Sequence, residues 1–562
     1  MPDLLMHPAL WLVVAGLVLV FVRGLPRTVI GAGVPVLALL ALWNTPLGAG
    51  PTVPFLDFEL SPYRTDTLSR LFATVFLITT TAGAIFSARQ GSRTELPAAL
   101  VYAGSAVGAV LAADLISLFV WWELMAVAST VVIWAGGESA RAASFRYLMV
   151  HFFGGVLLMA GITGHVAAGN GIAFEAMQAD GIAHWLILAG FLVNAGAPPL
   201  WSWIADAYPK ASWSGMVFLS AFTTKTAVYV LMRGFPGTEI LIPIGMAMVF
   251  YGIFYAAVAG DIRRILAYAI VNQVGFMVVG VGIGSELALN GVAAHAFAHI
   301  AYKALLLMTA GAVLYRTGRS HCADLGGLWH AMRFTTVLAL IGAMAAMALP
   351  LFSAFVTKSM MVSAAAEAHL LWVWLGLSVA SACMVFNAGV RYPFYVFFSK
   401  DAGLRPEPAP LSMKLGMIVM AAICVGMGVM PDVLYAQLPY AVDYVPYTGS
   451  HVVHQLQVVL LGMVAFFAVR RYLAPERGRL WDLDWVYREF GTALTRIAGS
   501  GIRALQRGFG TAVGNAIGLI GGRLRQHYGP TGVLARTWAS GHMVLWVAIL
   551  LLMYLLLFYV PG

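Results

Sequence analysis

Histidines at 295 and 299 and a lysine at 303 follow one another at four-residue intervals in His295-Ala-Phe-Ala-His299-Ile-Ala-Tyr-Lys303. On an α-helix this spacing puts all three on one face, about 6 Å apart along the axis. Three titratable groups so placed, and bridged by water, make a plausible proton wire. A metal site is the competing reading. It is set aside, with no metal expected, because no acid or cysteine accompanies the histidines and lysine is a poor ligand. The chain has six lysines, at 210, 225, 303, 358, 400 and 414. Lys225, Lys303 and Lys358 lie inside long apolar stretches. A lysine at membrane depth costs ~2.5–3.5 kcal/mol on insertion scales and by default marks an ion or substrate path. Lysine is also the basic side chain whose charge responds to burial, whereas arginine stays charged. Glu123, in Phe119-Val120-Trp121-Trp122-Glu123-Leu124-Met125, is equally costly unless it is paired or protonated. For Glu123 and Lys225 a structural ion pair or polar helix contact is the alternative. His151, His165 and Asn387, isolated in apolar runs, read as satisfied helix contacts.

The elements that must position these groups are membrane helices. The chain of 562 residues is 61% hydrophobic and 10% charged, against about 25% charged in soluble domains. Counting apolar runs of ~20 residues gives about sixteen candidate spans, and no barrel alternation is seen. The class is all-α, polytopic and membrane-spanning. The first span, followed by Arg23 and Arg27 and lacking a small-residue cleavage site, reads as a retained helix. The arginines recur after alternate spans: Arg89 and Arg93, Arg141 and Arg146, Arg263 and Arg264, Arg316 and Arg319, Arg391, Arg405, Arg470 and Arg471. Acids such as Asp57, Glu175, Glu239, Asp432 and Asp443 occupy the opposite loops, with Arg64, Arg70 and Arg233 as the exceptions. The positive-inside rule then puts the arginine side in the cytoplasm of a bacterial-type inner membrane and the N-terminus outside. The net charge of +9 is thereby spread loop by loop, which argues against a nucleic-acid partner and for the lipid bilayer.

Two spans carry breaks. Ala197-Pro198-Pro199 interrupts the run at 183–208, and Leu349-Pro350 the run at 331–366. Proline removes a backbone donor and kinks a helix. Broken helices at membrane depth line polar cavities, and a pair at corresponding places points to inverted repeats and an ion site. The expected organisation is N-terminal helices over 1–95, a first five-helix repeat over 96–235 and a second over 236–400. C-terminal core helices over 401–472, an amphipathic surface helix over 473–540 and a final span over 541–562 complete it. The surface helix is expected to run from 484 to 527, ~65 Å if continuous, with breaks at the glycines between 499 and 522 and an end at Gly529-Pro530. Cys322, Cys383 and Cys424 are scattered, without disulfide, metal or iron–sulfur spacing. No Walker loop or dinucleotide fingerprint occurs, so no cofactor is expected.

Several stretches together resemble the proton-conducting antiporter-like family, which includes the L, M and N subunits of respiratory complex I and the A and D subunits of the Mrp cation/proton antiporter. They are Trp121–Met125, Ala195-Gly196-Ala197-Pro198-Pro199-Leu200-Trp201-Ser202-Trp203, Lys225–Tyr229, Asp261–Tyr268, His295–Lys303 and Leu349–Lys358. They cover about residues 65–400 in the family's order. The resemblance implies a fourteen-helix core with inverted five-helix repeats and a hydrated charged axis at the membrane midplane. It matches Glu123 to the family's key glutamate, Lys225 to its mid-path lysine, His295, His299 and Lys303 to its central segment, and Lys358 to its terminal lysine. The surface helix with a last span resembles the L subunit of complex I. The length and the Asp482-Leu483-Asp484-Trp485 entry are closer to D-type antiporter subunits.

One position departs from the pattern. The family usually has a lysine just before Ala-Gly in the first broken helix, and here Asn194 stands there. Glu123 then lacks its usual cation, and either holds a proton or pairs elsewhere, with Lys225 as a candidate. The leading expectation is a proton- or cation/proton-translocating subunit of a larger membrane complex, D-like, moving protons with Na⁺ or K⁺ as candidate counter-ions. The alternatives are a subunit of a redox-driven pump with no redox centre in this chain, and a structural or partner-binding subunit, inorganic-carbon uptake included.

Overall fold

The computed structural model describes residues 7–472, 482, 483, 485, 488, 489, 491–532 and 539–559. They form helices α1 (Pro8–Leu19), α2 (Leu25–Asn44), α3 (Thr67–Phe86), α4 (Glu95–Leu111), α5 (Leu115–Trp134), α6 (Glu138–Ala167), α7 (Ile182–Ala195), α8 (Trp203–Ala207), α9 (Gly215–Ala221), α10 (Thr223–Gly234) and α11 (Leu241–Val258). These are followed by α12 (Ile262–Ile283), α13 (Glu286–Thr317), α14 (Arg333–Ala346), α15 (Ser353–Glu367), α16 (Leu371–Met384), α17 (Leu411–Val429), α18 (Pro431–Tyr435), α19 (Gly449–Val469), α20 (Gly491–Tyr528) and α21 (Ser540–Tyr559). Among the described residues, twelve helical stretches are long and apolar enough to cross a membrane, and four shorter apolar helices join them at 8–19, 95–111, 182–195 and 333–346. Each overlaps one of the spans expected from the sequence, several starting a few residues earlier.

Local sequence sets several helix starts. Asp66 caps α3 by accepting from the Ser69 N–H at 2.8 Å, while Ser69 Oγ accepts the Asp66 N–H at 2.9 Å, a reciprocal box. Asp114 caps α5 through the Ser117 N–H, and Asp261 caps α12 through the N–H groups of Arg263 and Arg264. α12 and α13 are buried along nearly their whole length and form the centre. The large apolar side chains of α2 and α19 that remain exposed, such as Leu37, Leu40, Leu460 and Val464, face outward as a lipid-solvated protein requires.

Both proline-containing runs are broken. α7 stops at Ala195, where Gly196 takes a left-handed φ of 75° that glycine adopts without a Cβ penalty. The indole Nε1 of Trp203 donates at 3.0 Å to the Val193 carbonyl, which also accepts the Gly196 N–H at 3.1 Å. α14 stops at Ala346, and the link to α15 holds two non-glycine residues at positive φ, Ala348 (57°) and Leu351 (73°). A third break, which no proline or glycine announces, separates α9 from α10 at Phe222. π-helical turns at Val385–Arg391 and Phe394–Phe398 were likewise not anticipated. Arg391, expected in a wet loop, is buried in the first of them and donates to the Ala256 carbonyl at 2.6 Å. That carbonyl belongs to the last turn of α11, which attracts a cation. Two small antiparallel strand pairs, β1 (Gly48–Ala49) with β4 (Arg64–Thr65) and β2 (Val53–Phe55) with β3 (Phe58–Leu60), occupy the α2–α3 connection.

The chain divides into two compact units, through Asp484 and from Trp485. At the end of the first, the Asp482 carboxylate accepts from Tyr251 Oη (2.7 Å) and Tyr268 Oη (2.6 Å), anchoring it to α11 and α12. In the second unit, α20 runs unbroken for 38 residues and ends just before Gly529-Pro530. The expected breaks at its glycines do not occur. Each glycine costs ~1 kcal/mol of propensity, but no proline falls between Gly491 and Tyr528 to remove a hydrogen bond from the ladder. Most of the stretch expected before it, 473–490, lies outside the described residues.

Candidate functional site

Two of the three buried lysines, Lys225 and Lys358, share a structural logic. A helix break leaves backbone carbonyls without intrahelical donors, and a buried ammonium needs acceptors. Lys225, in the first turn of α10, donates to the Ser220 carbonyl freed by the Phe222 break at 2.7 Å, and to Thr224 Oγ1 at 3.0 Å. Lys358 in α15 donates to the Ala346 carbonyl at the end of α14 at 3.4 Å. Lys303 in α13 donates to the Leu266 carbonyl of α12 at 3.3 Å. Glu123, Lys225, Lys303 and Lys358 take part in none of the ion pairs among the described residues. The Glu123–Lys225 pair considered from the sequence is therefore not formed.

His295, His299 and Lys303 line one face of α13, all with 0% exposure. The imidazoles lie 6.1 Å apart. Lys225, Lys303, His295 and Lys358 are all within electrostatic reach of His299. Neither His299 nitrogen has a hydrogen-bond partner among the described residues, which marks the place where water is needed to satisfy it. His295, by contrast, is held from both sides. Its Nε2 lies 3.1 Å from Gln273 Oε1 and its Nδ1 2.9 Å from Thr357 Oγ1.

A chain of amides fixes the proton on His295. Asn272 Nδ2 donates to the Val249 carbonyl at 3.2 Å, and Asn272 Oδ1 accepts from Gln273 Nε2. Gln273 Oε1 is left as an acceptor and takes the hydroxyl of Tyr302 at 3.1 Å. His295 Nε2 must then be the donor, and Nδ1 accepts from Thr357. When Nδ1 gains a proton, the Thr357 hydroxyl can turn to the Ser353 or Ala354 carbonyl, each 3.4 Å away. His295 thus has a partner in either protonation state.

Beyond Lys358 the polar line continues. A cavity of ≈50 Å³ is lined by Lys358, Ser359, Ser363, Ser378, Ser381, His451, His454 and Gln455. That is room for water, which needs ≳10–15 Å³ and two to four polar partners. Gln455 donates to the Met347 carbonyl at 2.9 Å, next to the carbonyl that holds Lys358. Tyr444 Oη links Ser363 and His451 at 3.4 Å each.

In the first half, Glu123 is half-buried on α5, with Oε1 lacking a partner. Its carboxylate occupies the space that Gly155 of α6 leaves open; a Cβ at 155 would run into Oε1. One turn earlier on α6, His151 hydrogen-bonds the Tyr147 carbonyl through Nδ1 at 2.9 Å and packs against Trp203, while its Nε2 lacks a partner. Asn194 is fully buried, and both of its amide atoms lack partners among the described residues. A hydroxyl chain runs from Ser129 to Tyr147 (2.9 Å), Thr223 (3.3 Å) and Tyr102 (2.6 Å), and Thr223 stands two residues before Lys225. Asp206 ties the first broken helix to α6 through a bidentate pair with Arg146 at 2.7 and 2.9 Å.

Gln273, Asn272, Thr357, Tyr147 and His454 were not singled out from the sequence, although adjacent amides inside an apolar run carried the same signal as the lysines. His165, which bonds to His184, is a helix contact as expected, whereas Asn387 donates through Nδ2 to the Ile253 carbonyl at 3.4 Å while its Oδ1 has no partner among the described residues. His151 is satisfied on one side only. Gly155→Ala tests the Glu123 pocket. Because the clash is with the end of a flexible side chain, the protein should assemble normally while the carboxylate is displaced, and transport in membrane vesicles should fall several-fold. Unchanged transport would show that the carboxylate's place is immaterial.

Sixteen apolar helices among the described residues, with broken spans and a buried row of titratable groups in the first unit, define a polytopic helical membrane protein. Residues 112–384, just under half of the chain, match the family described as NADH:quinone oxidoreductase/Mrp antiporter, transmembrane region, so this stretch is antiporter-like, of the Mrp or complex I type. It is similar to the A/B subunit of a probable K(+)/H(+) antiporter of Rhizobium meliloti, 27% identical over 358 residues, 59% of this chain and 36% of that protein. It is also similar to the D subunit of the Na(+)/H(+) antiporter of Alkalihalophilus pseudofirmus, 31% identical over 281 residues, 46% of this chain and 56% of that one. A solved Mrp complex from a Dietzia species contains a chain with the same fold, at a TM-score of 0.76 and 22% identity, covering 98% of this chain and 62% of that one. The chain therefore spans well under two thirds of both sequence relatives.

Proposed function

We propose that this chain translocates protons as a subunit of a larger membrane complex, working as a D-like subunit of a monovalent cation/proton antiporter. The observation that carries the reading is the row Lys225, His299, Lys303, His295 and Lys358. Among the described residues these groups are buried and lack carboxylate partners; an amide and a hydroxyl hold His295 between Gln273 and Thr357, and a water-sized cavity lies beside Lys358. Buried cations without counter-charges are expensive as structure, so their presence is explained by a path that charges and discharges them. On this reading residues 96–235 and 236–400 are the two halves, and the second holds His295, His299, Lys303 and Lys358. A cation gradient moved through partner subunits would shift charge at one site and bias its neighbour.

Purification of the native complex with its accompanying subunits, followed by reconstitution, tests this. Na⁺ or K⁺ added across the vesicle membrane is expected to move protons without an electron donor. A complex that moves protons only when a flavin or iron–sulfur partner is reduced would assign the chain to a redox pump instead.

The fully buried, unpartnered amide of Asn194 favours a second reading, in which the first half no longer conducts and serves as a structural or partner-binding module. Asn194→Lys separates the two. If Asn194 lies on a working path, supplying Glu123 with a cation should change the transport rate several-fold in a chain that already transports. In a module that has lost conduction the native chain is silent, and only the lysine variant moves protons. A transporting native chain whose rate the lysine leaves untouched would remove Asn194 from the path.

A further inference from the structure

A second cavity, of ≈680 Å³, shares no lining residue with the buried row and lies where the starts of α2, α4 and α17 meet the end of α3. All four helix ends belong to the arginine-loop side. The wall is apolar, made by Leu25, Leu96, Leu411 and Leu415, and the charged groups on it are Arg27 and Arg89. No carboxylate among the described residues lines it. Glu95, at the start of α4, is itself buried and is engaged by Gln90 and Ser214. The Arg27 guanidinium is held in place by Nη2 donation to the Ser92 carbonyl at 2.8 Å and the Arg93 carbonyl at 3.4 Å, while its Nε has no partner. Ser412 Oγ, at the start of α17, also lacks one.

We propose that this cavity binds an anionic phospholipid, with its phosphate between Arg27 and Arg89 and an acyl chain along the leucine wall. The chemistry is two-part. Two guanidinium groups on one cavity wall, with Glu95 near Arg27 but already engaged by Gln90 and Ser214, select a phosphate. An apolar wall at the boundary between helix ends and loops suits a lipid tail, and such basic pockets between membrane helices on the cytoplasmic side hold anionic headgroups. The volume is of the size that ligands fill. A free phosphate would use the arginines and leave the wall unused; a segment of another protein chain could use the wall but would need acids at its rim.

The test uses the full chain in its native complex, delipidated in a neutral detergent. Phosphatidylglycerol, phosphatidylcholine or inorganic phosphate is added, and the melting temperature and the retained lipid, by native mass spectrometry, are followed. Phosphatidylglycerol is expected to raise the melting temperature and stay bound, and the other two to do neither. Arg89→Gln, which changes an exposed side chain, should weaken retention about tenfold, and Arg27→Gln with Arg89→Gln should abolish it. Arg141→Gln, an exposed arginine elsewhere on the same side, should leave it intact. Equal stabilisation by phosphatidylcholine, full stabilisation by inorganic phosphate, retention unaffected by Arg89→Gln, or a partner polypeptide found seated in the cavity would each overturn the proposal.

Discussion

Alanine at Lys303 or Lys358 should reduce proton movement to the level of empty vesicles while the protein still assembles. Each ammonium makes a hydrogen bond with a backbone carbonyl, of Leu266 or Ala346. Losing it leaves an acceptor unpaired at a cost of about 1–3 kcal/mol, partly offset because a buried cation is also removed. The fold should survive that exchange. Transport should not, because Lys303 stands one turn from His299, and Lys358 is the charged group that joins Thr357 to the cavity leading toward His454. Arginine at either position is the sharper variant, since it keeps the charge and cannot give up its proton. It too should abolish transport. Proton uptake into inverted vesicles, read beside native-gel assembly, checks both; wild-type rates in the two alanine variants would remove these lysines from the path.

These sites were legible because their cost is one-sided. A lysine or glutamate in an apolar run is expensive wherever the helices go, so residue type and neighbours suffice to flag Glu123, Lys225, Lys303 and Lys358. The His295–His299–Lys303 face follows from helical periodicity, and two of the breaks follow from proline. What stayed hidden depends on which helices meet. The break at Phe222 has no local signature; the Tyr102 hydroxyl, from α4, accepts the Thr223 N–H there at 3.0 Å, and Lys225 caps the Ser220 carbonyl. Thr357 lies 62 residues from His295 and Gln273 lies 22 away, so their contacts exist only once α12, α13 and α15 pack together. Gly155 reads in sequence as one small residue among many, and only the packing of α5 on α6 shows that its missing side chain is Glu123's space. The reverse error, expecting α20 to break, came from weighing glycine propensity without the absence of proline.

The seam between α11 and α12 yields the other large expected effect: Gly275→Leu should leave no assembled protein. In membranes, helices associate through close backbone packing that small residues permit. A Cβ at Gly275 would stand 2.6 Å from the Gly245 carbonyl oxygen, one at Gly245 2.6 Å from the Gly275 oxygen, and one at Gly252 2.5 Å from the Asn272 nitrogen. Backbone cannot yield as a side chain can, so a leucine must separate the helices. Gly426→Leu, where nothing lies within 4 Å, is the matching control and should assemble, and membrane levels of the two variants settle the point. The seam also carries the chemistry. Asn272 and Gln273 sit just before Gly275, and Asn272 reaches across to the Val249 carbonyl of α11. The register that the glycines allow is therefore what aims Gln273 Oε1 at His295. Gly275→Ala should expose this link: it spreads the helices less, so some protein should assemble, and that fraction should transport less per molecule than wild type. Equal transport per assembled molecule would mean that the amide chain tolerates the shift and that His295 does not depend on it.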